Sequence, residues 1–186
     1  MLATHLGKAG SGLLASSIVA VGLLAGSVTV ANAAGGGSSA TVPTCKKGKV
    51  WDKQKKKCIK IKKSSHLDDD NLYEAARDLA YNRRYEEALD VLKLARNQDD
   101  PRILNYIGYS TRKLGRVEEG LTYYAAALKA DPDYTLVREY MGEAFLQLNK
   151  VDKAREQLAE IEKRCGTGCR EYALLSEQID KHLARQ

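Results

Sequence analysis

Between Asp69 and Gly166 the apolar and small residues fall into a helical pattern that is written three times. The copies read Ala75-Ala76 to Ala88, Leu92 and Ala95; Ile107-Gly108 to Gly120, Tyr124 and Ala127; and Met141-Gly142 to Ala154, Leu158 and Ile161. Each predicts one helix carrying a bulky-then-small pair or its near equivalent, a turn at Asn82-Arg83, Gly115-Arg116 or Asn149-Lys150, and a second helix with apolar residues four and three apart. Two helices approach closely only where a side chain is nearly absent. Gly108, Gly120, Gly142 and Ala154 are therefore expected contact points, with Tyr124 and Leu158 filling the space beside them. Asp100-Pro101 and Asp131-Pro132 fit helix starts, with aspartate as cap and proline in the first turn. The acid pairs Glu86-Glu87 and Glu118-Glu119 fit the first turns of second helices, where negative charge complements the helix dipole. After Cys169, Tyr172, Leu175, Ile179 and Leu183 share one face of a last helix that would seal the array or form a dimer interface.

The period is 32 residues from Ala88 to Gly120 and 34 from Gly120 to Ala154, which resembles the tetratricopeptide repeat. The middle copy, with Ile107-Gly108, Gly120, Tyr124, Ala127 and Pro132, is most similar to that family's consensus; the first has Ala75-Ala76 where Leu-Gly is expected, and the third ends in Cys165-Gly166 in place of proline. The resemblance implies an all-α fold: a right-handed superhelical solenoid of three hairpins over 67–166 and a capping helix over 167–186. It also implies a partner-binding groove lined by the first helix of each hairpin. Carried across position by position, that groove is Tyr73, Arg77 and Tyr81, then Asn105, Tyr109, Arg112 and Lys113, then Glu139, Glu143 and Gln147. Residues four apart lie on one helix face, so these form three stripes, two aromatic and cationic and one acidic. Such a groove suits an extended or helical peptide with an acidic or carboxylate end. The alternative is a merely solvated helix face with Tyr73 or Tyr109 packed on a neighbouring repeat. Carboxylate-clamp members of the family use an asparagine and lysine set that Asn105, Arg112 and Lys113 match only in part, so chaperone-tail specificity does not follow.

Upstream of the repeats the composition changes twice. Residues 1–33 hold one lysine, Lys8, an apolar run from Leu13 to Ala25 and then Ala31-Asn32-Ala33, which reads as a secretory signal peptide cut after Ala33, with a retained membrane anchor as the competing reading. Residues 34–44 are Gly-, Ser- and Ala-rich, a flexible linker. Export, with a bacterial periplasm as the expected compartment, then makes the chain's 4 cysteines readable as two disulfides. Three pairings are possible. The local one, Cys45–Cys58 and Cys165–Cys169, is favoured because each couple sits in its own segment; the first closure would stabilise its segment by about 3 kcal/mol. Neither couple has the two-residue spacing of a redox motif, and His5, His66 and His182 stand away from both, which argues against a metal site.

Residues 45–63 carry the charge. Lys46, Lys47, Lys49, Lys53, Lys55, Lys56, Lys57, Lys60, Lys62 and Lys63 face one acid, Asp52, for a net +9. The whole chain is +6 and the leader +1, so residues 64–186 come to −4. Such a cluster is either a solvated tail or a contact to something anionic: lipid headgroups, lipopolysaccharide, a cell-wall polymer or an acidic protein. Export disfavours nucleic acid. The run Cys45-x-x-Gly48-x-x-Trp51-Asp52 up to Cys58 resembles half of a peritrophin-type chitin-binding module, but that module's other cysteines are missing and sugar binding does not follow. Trp51 is expected either as the core of a small knot or as an exposed interfacial anchor. Nothing in the chain has the spacing of a phosphate loop, a nucleophile–base pair or a metal-ligand set, so the expected protein is a non-enzyme without cofactor or small-molecule substrate. Its expected partners are a protein or peptide in the groove and an anionic envelope surface at the lysines.

Overall fold

The computed structural model describes residues 43, 45–63 and 67–186. The leader over 1–33 and, Pro43 excepted, the linker over 34–44 lie outside the described residues, as does the Lys63 side chain. The described chain opens with a two-stranded antiparallel hairpin, β1 Lys49–Asp52 and β2 Lys57–Lys60, and a 3-10 turn at Ile61–Lys63. Seven helices follow: α1 Asp69–Tyr81, α2 Tyr85–Leu92, α3 Pro101–Lys113, α4 Val117–Ala130, α5 Thr135–Gln147, α6 Val151–Cys165 and α7 Arg170–Leu183. Among them no helix is long and apolar enough to cross a membrane.

The repeat is visible in the backbone as well as in the side chains. α1, α3 and α5 are each 13 residues long. Each turn into a second helix is made by a residue with positive φ, Arg83 at 61°, Gly115 at 89° and Asn149 at 56°, and these recur at the 32- and 34-residue spacing of the sequence pattern. Each helix packs on its neighbours in the chain, and the first helices also touch one another, α1 on α3 and α3 on α5, which brings them together on one face.

Absent side chains set the closest approaches. A β-carbon on Gly108 would stand 2.8 Å from the Tyr124 ring and 3.0 Å from the Gly120 carbonyl oxygen, and one on Gly120 would stand 2.9 Å from the Gly108 carbonyl oxygen. In the third repeat the expected partner changes. Gly142 is met by Leu175 of α7, 2.5 Å from where its β-carbon would be, while Leu158 is only half-buried. The last helix therefore closes the array, with Leu175 and Ile179 buried and Leu183 left exposed. One expected helix start also moves. Asp100 caps α3 through the Arg102 N–H, with Pro101 in the first turn. Asp131 instead accepts from the Asp133 N–H and closes a turn, so Pro132 lies in the loop and α5 begins at Thr135. The Pro132 carbonyl is engaged by Arg138 and Arg164, which holds that loop out of the helix.

The basic segment is a docked element. Cys45 and Cys58 are bridged, as are Cys165 and Cys169, and no cysteine among the described residues is free. Val50 is buried in the same apolar cluster as Leu72, Leu79, Leu92 and Ile103, with Ile59 and Ile61 packed at its edge. Arg84 reaches across to donate to the carbonyls of Cys45 and Lys46 at 2.6 and 3.1 Å, and Glu87, paired with that guanidinium, accepts the Gly48 N–H. Asp52 is buried in the tight end of the hairpin, where it accepts from the Gln54 and Lys55 N–H groups.

Candidate functional site

Because α1, α3 and α5 have equal length, their residues align in rows across the face they share. The row Tyr73, Asn105, Glu139 runs deep: Tyr73 is half-buried, Asn105 fully buried and Glu139 only 3% exposed. The row Arg77, Tyr109, Glu143 is half-buried. The row Tyr81, Lys113, Gln147, at the helix C-terminal ends, opens to solvent, and Tyr81 at 52% is the most exposed large apolar side chain among the described residues. The ten residues expected to line a groove therefore divide into a wet edge and an interior.

Arg112 belongs to the interior. Its side chain is fully buried, and it donates to Glu143 at 2.6 Å and to the Tyr124 hydroxyl at 3.3 Å. Burial works against its charge, but Tyr124 and Glu143 outweigh that and hold the guanidinium protonated. One ion pair thus ties α3 to α5 and, through Tyr124, to α4. Asn105 is likewise enclosed, beside Tyr134 but without hydrogen-bond geometry at either amide atom. Burial, reinforced by Glu143, pushes the Glu139 carboxyl up to about 8, so it is largely protonated at neutral pH. The stripe that reads as acidic in the sequence contributes little free negative charge: Glu139 holds its proton and Glu143 is spent on Arg112.

A tyrosine cluster forms the floor between these rows. Tyr106 and Tyr140, aligned neighbours on α3 and α5, join Tyr73, Tyr81 and Tyr109, with ring centroids 4.8 Å apart for Tyr109–Tyr140, 5.6 Å for Tyr73–Tyr106 and 6.0 Å for Tyr81–Tyr106. The Tyr106 hydroxyl donates to that of Tyr81 at 2.8 Å, and the Tyr81 and Tyr140 hydroxyls stand 3.5 Å apart. Burial, with the neighbouring tyrosines, pushes the Tyr106 and Tyr140 phenols far up, and burial pushes Tyr109 up to about 12. These three are neutral rings at physiological pH. Sequence reasoning missed Tyr106 and Tyr140, although the alignment of the three first helices places both one residue after the deep row. Arg77 and Lys113 flank the floor with cations over the Tyr73 and Tyr109 rings at 5.9 and 5.3 Å. Beyond Lys113 the face ends in a hollow of about 480 Å³ lined by Glu143, Gln147 and His182 among others.

At the other end, every expected lysine whose side chain is described is at the surface, with Lys49 half-covered. Lys53 pairs with Glu74 and Lys55 with Asp52. Trp51 is half-buried and takes no part in the apolar cluster that Val50 enters. Among the described residues, Cys165, Cys169 and Glu171 are the only group with metal-ligand atoms within reach of one another, and both sulfurs are committed to a disulfide.

The tetratricopeptide repeat model matches residues 73–135 and again 107–168, together just over half of the chain. The chain belongs to the tetratricopeptide repeat family. Among curated proteins none matches it. Solved structures share the fold of this tetratricopeptide protein at low identity. The Yersinia enterocolitica type III secretion translocator chaperone SycD superposes with a TM-score of 0.52 at 19% identity, over 62% of this chain and 89% of that one. The first tetratricopeptide domain of Spaghetti (RPAP3), bound to the HSP90 peptide SRMEEVD, gives 0.53 at 18%, over 64% and 98%. PcrH in complex with the chaperone binding region of PopD gives 0.53 at 18%, over 64% and 96%.

Proposed function

We propose that this tetratricopeptide protein is an exported, non-catalytic adaptor that holds a segment of a partner protein on the face made by α1, α3 and α5. The observation that carries the reading is the tyrosine floor running across all three first helices, with Tyr81 exposed and Arg77 and Lys113 as flanking cations. Rigid aromatic area costs little entropy to use; with Tyr106 and Tyr140 buried as its support, the accessible part is the exposed Tyr81 and the half-buried Tyr73 and Tyr109, whose hydroxyls offer partners to a peptide backbone. Neighbours of the same fold were solved with peptides of partner proteins, which agrees with this use of the scaffold. Because the acidic row is neutralised, the preferred segment is apolar with an acidic flank directed at Lys113 and Arg77. Export to a bacterial periplasm is supported by the leader reading and by the two disulfides, which persist in oxidising compartments. A second contact, to an anionic envelope surface through the docked lysine hairpin, is supported by the exposure of its lysines.

The test is affinity capture from envelope extract, with wild type, Tyr81→Ala/Lys113→Glu and Lys49→Glu/Lys60→Glu proteins washed at low and high salt. Arg112 is avoided because its loss would unpair Glu143 inside the fold. A defined protein kept in high salt by wild type and by the lysine variant, and lost by the groove variant, is the expected result. Equal retention by the groove variant would sink the adaptor reading.

A further inference from the structure

We infer that the outward face of the hairpin is a docking surface for an anionic phospholipid bilayer, an inference that rests on the reading of the lysine hairpin as an anionic contact. The hairpin is closed internally by the Cys45–Cys58 bridge and held in one orientation by Val50 in the core and by the Arg84 and Glu87 contacts to its backbone. Strand pleating then decides which residues face away. Val50 and its partner Ile59 turn toward the helices, so Lys49, Trp51 and Lys60 lie on the opposite face, beside the half-buried Cys58 and its bridge to Cys45. Lys49 and Lys60 are directly opposed, a like-charge pairing that costs stability in water. The nearby acids have other partners: Glu74 pairs with Lys53, Glu87 with Arg84, Asp90 with Lys93, and Asp52 with Lys55 and the turn amides. Lys46, Lys57 and Lys62, all exposed, extend the positive charge around the hairpin.

Two features select a bilayer over other anions. The lysines splay over a surface, and the hollow that Lys47, Lys60 and Lys62 line also holds the Glu87 and Asp90 carboxylates, so they suit a laterally mobile array of headgroups more than one discrete anion. Between them stands the half-buried Trp51, an amphipathic ring of the kind enriched at lipid–water interfaces. Each lysine near an anionic membrane contributes about fivefold in partitioning, so the face binds through several weak contacts that salt screens.

Trp51 is the chain's single tryptophan and reports on this face directly. The full chain is mixed with phosphatidylcholine vesicles, with phosphatidylcholine/phosphatidylglycerol vesicles and with soluble polyphosphate. Cosedimentation and Trp51 emission are followed for wild type, Lys49→Glu/Lys60→Glu and the milder Lys57→Gln/Lys62→Gln, with far-ultraviolet circular dichroism as the check on folding. The leader is common to all forms, so differences between them belong to the hairpin. The expected result is a blue shift with anionic vesicles alone, reversed by salt, and partitioning at least about tenfold weaker in the first variant and reduced in the second. Unchanged Trp51 emission, or the same emission response in all forms, overturns the inference. Lysine-dependent binding to polyphosphate with no response to anionic vesicles also overturns it while leaving the broader anionic-contact reading standing. The Tyr81→Ala/Lys113→Glu protein is expected to bind vesicles as wild type does, so failure of the groove reading is seen separately.

Discussion

Glu139 shows how one residue changes meaning between the sequence and the fold. On the helix pattern it is a groove acid; in the structure it is 3% exposed, facing Glu143 on its own helix, Arg112 on α3, and Arg170 and Glu171 at the start of α7. Burial raises its carboxyl from the ordinary 4.5 to about 8. The folded protein therefore keeps a proton that the unfolded chain releases between those two values. The contribution of Glu139 to stability is full at and below about pH 4.5, falls as pH rises through the window, and levels off above about pH 8. The expected loss across the window is a few kcal/mol, since a tenfold difference in proton affinity between the folded and unfolded chain is worth about 1.4 kcal/mol. Glu139→Gln keeps the size of the side chain without the ionisation, so chemical denaturation of the variant from pH 5 to about pH 9 is expected to lack this slope and to show a gain over wild type at the alkaline end. A wild-type slope retained by the variant would assign the pH dependence elsewhere. Arg112 carries the same lesson: helical spacing tells which residues share a face, but not whether that face meets solvent or the next helix.

Among the elements, the hairpin depends most on contacts that the sequence does not announce. Gly108 and Gly120 were legible because a missing side chain at a fixed period has one economical explanation, close helix approach. The disulfide pairs were legible from locality, and the second helices from their paired acids. Asp131-Pro132 misled because the same two residues start a helix or close a turn, and the arginines that hold the Pro132 carbonyl lie 6 and 32 residues further on. The seat of the hairpin was hidden for a similar reason: Arg84 binds main-chain carbonyls, which every residue has, so no pairing pattern marks it. Arg84 also donates to Glu87 at 2.8 Å while reaching Cys45 and Lys46, so its fork joins α2 to the start of the hairpin. Arg84→Ala is expected to cost about 1.5–3 kcal/mol locally, the value of hydrogen bonds to a charged group. With the disulfide intact, the hairpin would swing out as a unit, and amide exchange across 49–60 is expected to accelerate tenfold or more while α3 to α7 stay protected. Arg84→Lys, lacking the planar fork, is expected to restore only part of the protection. Unaltered exchange in Arg84→Ala would mean that Val50 alone seats the element.

Among the described residues of the whole molecule, the apolar interior is a series of three clusters with no single centre. The first joins Val50, α1, α2 and the start of α3; the second joins α3, α4 and α5; the third joins the end of α5 with α6 and α7. Leu121 and Met141 touch both the second and the third, so neighbouring clusters are linked in series. In such an array stability is close to a sum of local terms and nearest-neighbour terms, and damage at one end need not spread to the other. The terminal helix offers the cleanest test, because Leu175 is fully buried against Gly142, a residue with no side chain to move into a void. Leu175→Ala is expected to cost about 2–5 kcal/mol, the range for a core leucine whose surroundings cannot collapse. By hydrogen exchange the loss should be confined to the end of α5, α6 and α7, with α1, α2 and the hairpin near wild-type protection. The tyrosine floor between α1 and α3 would survive, but the hollow bounded by Gln147 and His182 would loosen, so binding to the groove is expected to weaken at that end while the Trp51 response to anionic vesicles is unchanged. Uniform acceleration from hairpin to C-terminus would instead show that the three clusters unfold as one cooperative unit, and the face of α1, α3 and α5 would then be as rigid as the interior beneath it.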